Sequence, residues 1–85
     1  MPILVHSPKE LALQAINQRK KLKLSQTEVG KLVGLTQKTI SALENKPESI
    51  QIDTFFRILS ALNLDMSLSA KDESIIQKKP WTEEW

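Results

Sequence analysis

From Ser7 to about Asn63 the apolar side chains recur every three or four residues, and from Asp65 to Ala70 they alternate with polar ones. The first spacing predicts amphipathic helices and the second a short strand. Leu11, Ala12, Ala15 and Ile16 stand behind Ser7-Pro8-Lys9-Glu10. That opening holds a Ser cap, Pro at the first helical position and Glu three residues after the cap. A first helix is expected to run to about Lys21, with Gln14, Gln18, Lys20 and Lys21 turned mostly outward. Ser25 with Glu28 reads as a capping box for a second helix, Gly34 supplies a left-handed turn, and Thr36 caps a third. Val29, Leu32, Val33, Leu35, Ile40 and Leu43 are spaced to face one core, and Gly30 leaves room for close helix approach.

Two short helices joined by a tight turn across Gln26–Asn45 make a helix-turn-helix. On the outward side of its second helix Gln37, Lys38 and Ser41 lie opposite Ile40 and Leu43. Gln can bind adenine bidentately, Lys can reach guanine acceptors, and Ser or Thr can serve either base edge. Asn45-Lys46-Pro47-Glu48-Ser49 is expected to be a loop, because Pro47 stops the preceding helix. A fourth helix is expected from Gln51 or Ile52 to Asn63, with apolar positions Ile52, Phe55, Phe56, Ile58, Leu59 and Leu62. Such a wide apolar face suits either a closing helix of a monomer or burial on two sides, with Phe56 toward a second subunit. Met66, Leu68 and Ala70 share one face of the short strand. A lone strand leaves its backbone groups unpaired, so Ile3–Val5, the same strand of a second chain, or both must meet it. The fold class expected is all-α, a helix-turn-helix domain of four to five helices over residues 1–70, with the strand pairing across a homodimer through Met66 and Leu68. Residues 71–85 turn polar and aperiodic and read as a flexible tail.

Charge sharpens this picture. Residues 1–70 carry nine Lys or Arg against six Asp or Glu, an excess of three, while the tail carries three against four. Arg19, Lys20, Lys21 and Lys23 cluster just ahead of the helix-turn-helix, where cations can meet phosphates. Both tryptophans, Trp81 and Trp85, stand in the last five residues, and an exposed acidic-aromatic end of this kind suits insertion into a partner. Cysteine is absent and His6 is the single histidine, so no metal ligand set can be assembled. The serines lack a His-acid arrangement and there is no Gly-rich phosphate loop. Neither an enzyme nor a cofactor is expected. No stretch is long and apolar enough to span a membrane, and a cytoplasmic protein is the expectation.

The residues SQTEVGKLVGLTQKTISALEN and IDTFFRILSALNL resemble the Xre/Cro-type helix-turn-helix domains of bacterial and phage repressors, with Gln26, Gly30, Gly34 and Ile40 on the pattern. Gly30 stands where that family usually has Ala. A narrower resemblance is to the HipB-type antitoxins, carried by Ser7-Pro8 with Leu11-Ala12, KTIS at Lys38–Ser41, TFFRIL at Thr54–Leu59, the strand DMSL and the terminal Glu84-Trp85. This resemblance implies an intertwined homodimer that represses its own operon by binding palindromic operator DNA and that binds a HipA-type kinase toxin. It makes Gln26, Thr36, Gln37, Lys38, Thr39 and Ser41 the expected DNA-binding positions and Trp85, with Trp81 beside it, the expected toxin anchor. The alternatives are a repressor without a toxin and an interaction adaptor that keeps the helix-turn-helix shape without reading DNA.

Overall fold

A computed structural model of the chain describes residues 3–71 of the 85. It contains α1 (Pro8–Lys21), α2 (Gln26–Val33), α3 (Gln37–Asn45), a 3-10 turn at Pro47–Ser49 and α4 (Ile52–Ala61). Each of the first three helices starts where the side-chain chemistry predicts. Ser7 Oγ accepts the Glu10 N–H at 3.1 Å, and the Glu10 carboxylate reaches one residue past the cap to the His6 N–H at 2.6 Å. The Ser25 box is closed in both directions, with Glu28 N–H to Ser25 Oγ at 3.0 Å and Ser25 N–H to Glu28 Oε1 at 2.8 Å. Thr36 Oγ1 accepts the Thr39 N–H at 3.3 Å. The segment after Asn45 is tighter than the loop expected: Pro47 fixes the first position of a 3-10 turn, which a missing N–H does not disturb.

The helix ends share a second device. At the end of α1 the Leu24 N–H donates to the Arg19 carbonyl at 3.1 Å and the Lys23 N–H to the Lys20 carbonyl at 3.0 Å. At the end of α4 the Leu64 N–H donates to Leu59 at 2.9 Å and the Asn63 N–H to Ser60 at 3.1 Å. These are Schellman closures, which need a left-handed residue just past the helix. Lys23 and Asn63 fill that place at φ 61° and 59°, while Gly34 does so after α2 at φ 71°. Asn tolerates this region and Gly is indifferent to it; for Lys it costs about 1–2 kcal/mol.

Ala15, Val29, Ile40, Leu43, Phe55, Ile58, Leu59 and Leu62 form one buried cluster, with Leu11, Leu24, Leu35, Ile50 and Leu64 packed around it. All four helices therefore meet in a single core. Leu32 departs from the expected core set and is 61% exposed. Val29, Gly30 and Val33 define the inward direction of α2, and at about 100° per residue Leu32 points roughly 110° away from it. Gln18 also departs from its expected outward place: its Nε2 donates to the Leu62 carbonyl at 2.9 Å and ties α1 to the end of α4. Gly30 is buried, and a Cβ there would fall on the Leu35 carbonyl oxygen, with the Leu35 carbonyl carbon only 3.1 Å away. The small residue thus sets how closely the turn lies on α2.

Asp65–Ala70 follows α4 without helix, and among the described residues no strand is formed. Strand geometry is completed by pairing, and a ladder between two chains has no counterpart inside one. On α4 the core takes Phe55, Ile58, Leu59 and Leu62, leaving Ile52 and Phe56, four residues apart, on a neighbouring exposed stripe. The wide apolar face read from the sequence is thus half used within the chain. Phe56, Leu59, Leu64 and Met66 line an open groove of about 410 Å³. Leu68 lies beyond them and is almost fully exposed.

Two substitutions test these local arguments. Lys23→Gly removes the left-handed strain and should raise stability by about 1 kcal/mol, read by urea or thermal unfolding. Gly30→Ala gains helix propensity worth about 1 kcal/mol, yet should lower the melting temperature because the added methyl meets backbone that must move.

Candidate nucleic-acid interface

The floor of the site is an ion pair. Arg19, in the last turn of α1, donates from Nε to Glu44 Oε2 at 2.7 Å and from Nη2 to Glu44 Oε1 at 3.2 Å, while its Nη1 donates to the Leu24 carbonyl at 3.0 Å. The two side chains are 15% and 7% exposed. This paired fork is the geometry in which guanidinium and carboxylate bind most strongly. Arg19 therefore leaves the basic cluster proposed for phosphate contact and joins the scaffold, whereas Lys20, Lys21 and Lys23 remain exposed.

From Glu44 the network runs outward. Glu44 Oε1 also accepts from Gln26 Nε2 at 2.8 Å, and Gln26 Oε1 accepts from Gln37 Nε2 at 2.5 Å. Glu44 can only accept, so it fixes the Gln26 amide with its nitrogen inward and its oxygen outward. That oxygen in turn orients the Gln37 amide. One buried carboxylate thus sets the orientation of a side chain on the exposed face of α3.

The six residues read as DNA-facing do not stand alike. Gln37 and Lys38 are exposed, Gln37 through the chain just described. Thr36 is exposed but engaged as the α3 cap, and its Oγ1 lies 3.1 Å from that of Thr39, which is half-buried. Gln26 is half-buried and bridges Glu44 and Gln37. Ser41 is half-buried beside Asn45, whose Nδ2 reaches both the Ser41 carbonyl at 2.9 Å and the Ser41 Oγ at 3.0 Å. The geometry brings Gln26, Gln37 and Ser41 to one side of α3, with Lys38 and Asn45 at its outermost line.

Sequence reasoning overlooked Glu44 and Asn45, and it placed Arg19 among the phosphate-facing cations instead of on Glu44. Glu44 and Arg19 were legible only as a pair, 25 positions apart. Asn45 had a local signal: it follows Gln37 and Ser41 at eight and four residues, on the same side of a helix. Trp81 and Trp85 lie outside the described residues.

Residues 16–68 match the family model described as "Helix-turn-helix". Antitoxin HipB of Escherichia coli strain K12 is 37% identical over 82 residues, which span 95% of this chain and 93% of that protein. The chain belongs to the HipB family. A second HipB, from Escherichia coli O6:H1, is 39% identical over 71 residues, covering 82% of this chain and 76% of that one. Among solved structures, a complex of HipB with an O4 20mer aligns with a TM-score of 0.79 at 35% identity, covering 84% of this chain and all of that one. A complex of HipA, HipB and O2-O3 aligns at 0.80 with 35% identity and the same coverage. The four-helix arrangement around this core is therefore shared with HipB as solved in those two complexes. No helix among the described residues is long and apolar enough to cross a membrane.

The ion pair makes a direct prediction. Glu44→Ala strands a largely buried guanidinium and should cost about 3 kcal/mol of folding stability. Arg19→Lys keeps the charge but not the fork and should cost less. Chemical denaturation of the two variants and the double variant gives the coupling energy; independent, additive losses would dissolve the pair as the organising contact.

Proposed function

We propose that this protein is the antitoxin of a HipA-type kinase toxin and a homodimeric repressor of its own operon. The observation that carries the proposal is the outward row of α3, Gln37, Lys38 and Ser41, held over the Arg19–Glu44–Gln26 chain. An amide oriented in advance loses little entropy when it meets a base edge, which favours reading over mere attachment. In this reading Gln37, Lys38, Thr39 and Ser41 face the major groove. Gln26 and Thr36, at the starts of α2 and α3, lie where free helix N–H groups welcome phosphate. Lys20, Lys21 and Lys23 add sequence-independent attraction and salt dependence.

The dimer rests on the apolar surface that the single chain leaves open. Phe56, Met66 and Leu68 with Ile52 form its contact, and the alternating run 65–70 pairs with its copy across the two-fold. Two recognition helices fixed in this way one turn of DNA apart read a palindrome. The toxin assignment rests on the similarity to HipB, which has been solved together with HipA, and on the tail sequence. Residues 1–70 form the DNA-binding and dimerising unit, and residues 71–85 carry Trp81 and Trp85, the second as the anchor in the kinase.

Lys38→Ala should lose about 1–3 kcal/mol at one operator position and little elsewhere; an unchanged profile in a binding assay over single-base operator variants removes Lys38 from base reading. The toxin arm is tested by co-purification with a tagged, catalytically inactive HipA-type kinase. The expected result is capture of the full chain, weaker capture without Trp85, and unchanged operator binding by both. DNA binding without capture leaves a repressor that has no toxin.

A further inference from the structure

Along α1 the core takes Leu11 and Ala15, and two further apolar side chains, Leu13 and Ile16, have no place in it. They stand three residues apart, so they share a stripe of the helix. With Ala12 and Pro47 they line an open groove of about 760 Å³ between the N-terminal part of α1, the end of α3 and the 3-10 turn. Ala12 is buried, Ile16 is half-buried and Leu13 is 53% exposed. The charges along the groove are Glu10, Glu44 and Glu48 against Lys9. Glu44 is committed to Arg19, whereas neither Glu10 nor Glu48 meets a cation among the described residues. The groove is thus apolar within and carries an acidic excess at its edge.

We infer that this groove is the seat of Trp81 and the two lysines before it, from the C-terminal segment of the same chain. The chain holds two tryptophans, one in KKPW at 78–81 and one in TEEW at 82–85. An indole brings a large rigid apolar surface at low entropic cost, so either could fill the groove. Charge decides between them. Lys78 and Lys79 are attracted by the acidic edge, while Glu83 and Glu84 are repelled by it. Pro80 fixes its own φ and favours extended backbone at Lys79, which suits a strip laid along a groove. The reach is sufficient. Trp81 stands ten residues beyond Lys71, the last described residue, about 33 Å at full extension. The two shorter dimensions of the protein are 28 and 20 Å. The two indoles are thereby divided: Trp81 is held on the protein's own surface, and Trp85 is left for a partner.

The test uses the full-length chain carrying Trp85→Phe, in which Trp81 is the single tryptophan. Its fluorescence should be shifted to the blue, and its quenching by acrylamide should be weaker, relative to a free peptide of residues 72–85 with the same substitution. Adding Leu13→Asp should return both to the peptide's values. Adding Glu48→Lys should move both toward them, most at low salt. Circular dichroism of each variant should match the parent, showing that the helices are kept. Peptide-like emission from the parent overturns the inference. A shielded Trp81 that neither substitution exposes places the indole elsewhere and overturns it too. A lower molar mass of the Leu13→Asp chain by light scattering gives the groove to a second copy instead. Weakened capture by a tagged, inactive HipA-type kinase on Leu13→Asp, with Trp81 peptide-like throughout, gives it to the toxin.

Discussion

A carboxylate and a guanidinium with little access to water join the first helix to the third. Removing either charge from solvent is costly, and the pair offsets that cost because each charged group makes several hydrogen bonds: Nε and Nη2 of Arg19 donate to the two Glu44 oxygens, Nη1 donates to the Leu24 carbonyl, and Gln26 Nε2 donates to Glu44 Oε1. Leu24 lies in the turn between α1 and α2, so one guanidinium fastens the end of α1, the approach to α2 and the far end of α3. The apolar cluster supplies attraction among the helices but is non-directional. The ion pair supplies direction, fixing the rotation of α3 about its own axis and hence which side chains look outward.

Precision at the surface follows from that fixed rotation. Gln26 and Gln37 are side chains with several rotatable bonds, yet each ends on an atom whose position is determined by the one before it. One and two turns further along the same face, Asn45 Nδ2 donates to the Ser41 carbonyl and to Ser41 Oγ, tying those two side chains together. The outward face of α3 is therefore made of restrained polar groups over a fixed base, which is how sites on small domains achieve geometric definition.

Most of the helical plan was legible in the sequence, because it depends on local rules. Ser7, Ser25 and Thr36 cap the helices they precede, Gly34 turns left-handed after α2, and Ala12, Ala15, Val29, Ile40 and Leu43 are buried where their spacing places them. The departures involve non-local or ambiguous information. Leu32 is apolar but lies off the face that Val29, Gly30 and Val33 turn to the core, and Gln18 is drawn inward by the Leu62 carbonyl at the end of α4. Arg19 looked like one more cation in a basic run; only the fold reveals that its partner lies on α3. The outward row of α3 was legible as a set of polar residue types on one side of a helix. Its hydrogen-bond senses were not, since those depend on which neighbour accepts and which donates.

Seven of the nine residues of the third helix fall into two stripes that do not overlap. Ile40, Leu43 and Glu44 hold the helix in place, while Gln37, Lys38, Ser41 and Asn45 are free of the core. Substitutions can accumulate in the second stripe without disturbing the first, so, on the proposed reading of this face, operator preference is open to change while the scaffold stays under selection for folding. On that same reading a new preference can be transplanted onto this domain by exchanging those four side chains, provided that Glu44 and its partner on α1 remain.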